Sequence, residues 1–156
     1  MSHEIERDWI TAAGLRAVCI LIHGSHRCGY VELPTDHPLH GVGYSETHPS
    51  LTSPSPDTPV GKRGLIPLLL VSMISEGEIP ATPEIIFDVH GGITFAGGDG
   101  KYPADGDGWW FGFDCAHAGD GSLNPKVNWD DSPVRSTEYV ASECESLAAQ
   151  LKEITT

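Results

Sequence analysis

Hydrophobic positions in this chain fall into short runs separated by glycine and proline, followed by one longer periodic stripe near the C-terminus. Ile5, Trp9 and Ala13 recur at helical spacing ahead of Gly14, which predicts a short N-terminal helix closed by glycine. The run Leu15 to Ile22 is rich in β-branched residues. Gly24-Ser25 and a second run, Cys28 to Leu33, follow it, so the two predict a β-hairpin. Pro34 and Pro38 then break regular structure, leaving Asp36, His37 and His40 as surface or capping residues. Ser45 to Gly64 alternates proline with serine and threonine and holds almost no large apolar side chain, which predicts a flexible loop. Leu65 to Met73 is apolar apart from Pro67 and Ser72, and its periodicity leaves strand and helix open.

Further along, Glu84 to Val89 and Ile93 to Phe95 flank Gly91-Gly92, the pattern of a second hairpin or a sharp bend. Gly97 to Gly108 alternates glycine with Asp99, Asp105 and Asp107, an acidic loop without the ligand order of a calcium-binding hand. Trp109 to Phe113 predicts an aromatic strand. Ser132-Pro133 is a candidate helix start, and Val140, Cys144, Leu147, Leu151 and Ile154 form one helical stripe. The expected fold is α+β, a mainly antiparallel sheet built of hairpins and covered by a C-terminal amphipathic helix. All 156 residues are expected to form a single domain, with residues 45–64 as its loop.

Composition narrows the partners. Twenty-two acidic against nine basic residues give a formal charge of −13, which opposes a grip on extended nucleic acid. No apolar run approaches the roughly 20 residues that span a bilayer, so the expectation is a soluble protein of the cytoplasm without membrane contact. Cys19, Cys28, Cys115 and Cys144 form no CxxC pair, which favours reduced thiols over a disulfide framework.

Candidate chemistry gathers between Phe87 and Asp120. Asp88 and His90, two apart on an extended segment, share a face ahead of Gly91-Gly92, and the aromatic strand runs into Asp114, Cys115, His117 and Asp120. If the two groups meet, Asp88, His90, Asp114, His117 and Asp120 supply the oxygen and nitrogen ligands of a divalent zinc, manganese or iron ion. His90, Asp114 and His117 would then carry a metal-assisted hydrolysis of a phosphate-containing small molecule. The Asp-x-His start is similar to the first ligand pair of calcineurin-type phosphoesterases, although the other motifs of that family are missing here. His26, Cys28, Cys115 and His117 offer a competing zinc set. Cys28 and Cys115 are also conceivable nucleophiles.

Without catalysis, one face of the aromatic strand, Trp110 above all, would stack a nucleobase. Arg27 and Arg135 would hold its phosphate, and Gly91, Gly92 and Thr94 would let the ligand approach closely. Such a protein would sequester a small anionic ligand; a third possibility is an acidic protein that inhibits a host protein by covering its basic surface. The same residues also have a plain structural reading, in which His90 fixes a turn, the aspartates cap helices and the aromatics fill the core.

Several segments carry a resemblance: Cys28-Gly29-Tyr30-Val31, His37-Pro38-Leu39-His40-Gly41, Val89 to Phe95, Trp109 to Asp120, and Tyr139-Val140 with Glu143-Cys144-Glu145. They are similar to a family of small phage and bacterial proteins of uncharacterised activity. The resemblance implies a phage or prophage setting and a role in host takeover or counter-defence, and it assigns no catalytic residue. Ser45 to Gly64 lies outside it.

Overall fold

The computed structural model describes residues 3–22, 25–51, 81–115 and 135–154. Within them the chain forms strands β1 (His3–Ile10), β2 (Arg16–Ile22), β3 (Arg27–Leu33), β4 (Phe95–Gly97) and β5 (Trp109–Asp114), a single helical turn α1 (Pro83–Ile86) and a long helix α2 (Thr137–Lys152). The strands make one antiparallel sheet in the order β1-β2-β3-β5-β4. The α+β expectation therefore holds as a five-stranded antiparallel sheet with a C-terminal helix.

Two expected elements differ. His3–Ile10 is a strand, not a helix, because β2 supplies backbone partners along its length. A turn at Thr11–Gly14, with Gly14 at φ 89°, returns the chain into β2. The predicted strand from Glu84 to Val89 is also absent. Pro83 opens α1 at a position where its missing N–H costs nothing, and residues 87–93 then run along α2 without joining the sheet. Two α2 side chains satisfy their backbone instead. Asp88 N–H donates to Gln150 Oε1 and Gln150 Nε2 donates to Asp88 O, both at 2.8 Å, while His90 N–H donates to Glu143 Oε1 at 2.8 Å. Gly91 and Gly92, at φ 70° and 82°, turn the chain toward β4. The second hairpin is thus a bend between a helix-held segment and a short edge strand.

The sheet is apolar on both faces. On one, Ala17, Cys19, Val31, Leu33, Phe111 and Phe113 pack with Val140, Cys144, Leu147 and Leu151 of α2, and Phe87, Val89 and Ile93 close the same core. Ser136 caps α2 by accepting from Tyr139 N–H, and His37 receives its C-terminal end. There His37 Nε2 donates to Leu151 O at 2.9 Å while its Nδ1 accepts from Leu39 N–H at 3.0 Å. On the other face, Val18, Ile20, Cys28, Tyr30 and Trp110 lie under Ala104 and Tyr102 of the acidic loop. Gly29 is required where the helix comes closest, since a Cβ there would lie 2.8 Å from Cys144 Sγ and also collide with the Phe113 ring. The apolar run Leu65–Met73, the candidate cap Ser132 and residues 52–64 of the predicted loop lie outside the described residues.

Candidate functional site

The sheet separates the described members of the expected metal set. Asp114 ends β5 directly opposite Cys28, and paired residues in an antiparallel ladder share a face, so it projects on the side of Cys28 and Tyr30. His90 lies against the helix on the opposite side: its Nδ1 is 2.8 Å from Tyr139 Oη and its ring meets Tyr139 edge to face at 5.4 Å. Asp88 belongs to the same helix-held segment. His117 and Asp120 lie outside the described residues, among which no three His, Cys, Asp or Glu side chains gather as a metal site. The competing zinc set is divided in the same way, because Cys28 packs on the Tyr30 face and Cys115 in the helix-side core.

The residues expected to hold a nucleotide are placed as follows. Trp110 is 1% exposed, with the Arg16 guanidinium 5.4 Å from its ring, so it fills the core and offers no open stacking face. Arg27 and Arg135 do come together near the start of α2, close to His90 and the Gly91-Gly92 bend. Arg27 Nη1 donates to Arg135 O at 2.9 Å, and the Arg135 guanidinium sits 4.8 Å from the Tyr139 ring. Yet Arg27 Nε donates to Glu6 Oε1 at 2.6 Å, a bond that holds the Glu6 carboxyl below its ordinary range. Glu138, on the first turn of α2, is a second acidic neighbour of Arg27, so that guanidinium already faces two carboxylates.

Reactive cysteine chemistry fares no better. All four cysteines are reduced and buried; burial pushes Cys19 up to about 12 and Cys28 up to about 11, so both keep their protons at neutral pH.

A cavity of about 300 Å³ instead opens beside the ends of β3 and β5. Its buried part is Cys28, Tyr30 and Phe113; Phe95 of β4 and Ile22 are half-buried, and Thr94, His26 and Asp114 supply its polar groups. Strand alternation explains the gathering, because His26, Cys28 and Tyr30 occupy alternate positions leading into and along β3, while Phe95 is paired with Gly112. Gly112 leaves the space that the Tyr30 ring occupies. The rings of Tyr30, Phe95 and Tyr102 form a triangle with centroids 5.3–5.6 Å apart, and the Tyr30 and Tyr102 hydroxyls are 2.6 Å from each other. Burial raises the Tyr30 phenol well above its ordinary value. Thr94 Oγ1 stands 3.5 Å from Asp114 Oδ2, and His26 Nδ1 is 2.7 Å from Ser25 Oγ.

Of the residues singled out from sequence, Asp114, Thr94, His26 and Cys28 reach this cavity, His26 and Cys28 from the competing zinc set. Tyr30 and Phe95 were not grouped with them. The signal that could have done so was the alternation along β3, combined with the prediction that β5 is a strand. In comparisons with known proteins, no family model, no curated protein and no solved structure matches the chain.

Proposed function

We propose that the protein binds a small molecule in the cavity between Tyr30, Phe95 and Asp114 and holds it without turnover. The observation that carries this reading is the cavity itself. About 300 Å³, walled largely by apolar and aromatic side chains and carrying a few polar groups at Thr94, His26 and Asp114, is the usual make-up of a small-ligand site. Cys28 and Tyr30 retain their protons, which suits recognition better than nucleophilic attack. In the phage or prophage setting that the sequence resemblance implies, sequestering a host signal would serve counter-defence.

The test is recovery of the ligand. Protein purified from cells, washed and denatured should release an intact small molecule detectable by mass spectrometry, and Phe95→Ala should reduce the amount released. The same preparation, analysed for metal and incubated with cyclic and linear nucleotides, examines the rival reading. Product formation that is lost on chelation would replace sequestration with metal-assisted hydrolysis. Neither a released molecule nor a product would favour an acidic inhibitor of a host protein.

A further inference from the structure

We infer that the molecule held in this cavity carries a flat aromatic ring, gripped through that ring by Tyr30 and Phe95, with a hydrogen-bonding group on the ring's edge. The inference rests on the binding reading above and adds the chemical class of the ligand.

The observation that carries it is the corner made by two lining side chains. The Tyr30 and Phe95 ring centroids are 5.3 Å apart, their planes meet at 90°, and both rings line the cavity. Aromatic rings favour two arrangements, offset-stacked and edge-to-face, with centroids roughly 4.5–7 Å apart. A flat ring laid parallel to one wall of a right-angled corner stands perpendicular to the other, so it meets both preferences at once. A saturated ring or an alkyl chain fills the same space and gains only its burial. The corner is pre-formed. A Cβ at Gly112 would collide with the Tyr30 ring, so the glycine seats that ring against β5, and Phe95 is the residue paired with Gly112 across β4 and β5. Tyr102 packs on both rings, with its centroid 5.6 Å from each, and its hydroxyl lies 2.6 Å from that of Tyr30. Polarity is graded from inside to outside. Tyr30, Cys28 and Phe113 are buried, whereas His26 is half-buried and Thr94 exposed. A ligand seated here therefore turns its apolar plane inward and its polar edge toward solvent.

Full-length isotope-labelled protein is titrated with naphthol and with its saturated counterpart decahydronaphthol, following the amide signals of Cys28, Thr94 and Phe95. The probes share a carbon skeleton and a hydroxyl group, so burial alone would rank the saturated one no lower. Naphthol is expected to shift those signals and to bind about tenfold more tightly. Phe95→Leu, which keeps the apolar volume and removes the ring, should weaken naphthol about fivefold and leave decahydronaphthol unchanged. Unchanged signals elsewhere in the sheet establish that the variant is folded, and the comparison of the two probes on the wild type needs no variant. Equal affinity for the two probes, or an equal loss of both in Phe95→Leu, would overturn the inference while leaving a binding cavity in place. A saturated molecule released in the ligand-recovery experiment would do the same. Absence of a shift with both probes would overturn it as well, and the binding reading would then stand or fall on that recovery.

Discussion

Gln150 and Glu143, two turns apart on α2, hold the backbone of residues 88–90 where a neighbouring strand would ordinarily do so. Glu143 is 3% exposed, so removing its carboxylate leaves the His90 N–H without that acceptor in a setting water scarcely reaches. Glu143→Ala should cost about 1–3 kcal/mol in denaturant unfolding, the usual penalty for an unsatisfied buried polar group, and Glu143→Gln should recover much of it. At Gly29 the opposite fault is available. Gly29→Ala would drive a methyl group toward Phe113 and Cys144 and should destabilise by about 1–3 kcal/mol. Adding Cys144→Ala should return part of that loss, since the sulfur is one of the atoms in the way; additivity in the double mutant would contradict the contact.

At the scale of elements, the sequence was most readable where one face of an element is buried in regular register. The β2–β3 hairpin, the aromatic strand β5 and the α2 stripe were all predicted, because alternation or helical spacing is visible when packing selects every second or every third and fourth residue. β1 misled for a definite reason. Its pairing slips between Ile5 and Arg7, so Ile5 stands opposite Ile20 while Trp9 stands opposite Ala17, on the other face of the sheet. Residues four apart, which share a side in an unbroken strand, are thereby separated, and the apolar spacing mimics a helix. Glu6, at the slip, ties β1 to Arg27 of β3 and to Thr137 of α2. Its pKa is lowered first by the Arg27 bond, so its stabilising effect is complete above the ordinary glutamate pKa and fades as pH falls through the depressed native value. Melting temperatures of wild type and Glu6→Gln should therefore differ most at neutral pH and converge in acid; a constant gap would show that the charge is immaterial.

At the scale of the whole molecule, the individual polar residues of the site were easier to find than their partners. Asp114 and His90 stood out because each follows or sits beside an apolar run that packing alone explains. That they project on opposite faces depends on residue parity along β5 and on β3 pairing with a strand far along the chain, neither of which local periodicity encodes. The separation has a measurable result. His90→Ala should lower the melting temperature through loss of the Tyr139 contact and leave binding in the cavity unchanged, whereas Asp114→Asn should weaken that binding. A His90 variant that loses ligand without losing stability would show that the two faces communicate.

The strand order also governs how the chain emerges during synthesis. β3 has β2 on one side from the outset, but the backbone groups on its other side are satisfied only once Trp109–Asp114 has been made. Until then a nascent hairpin carries an open margin flanked by Val31 and Leu33, which other chains can zip onto. Ribosome-bound fragments ending before Trp109 should accordingly be sticky and chaperone-dependent, and those extended past Asp114 should not.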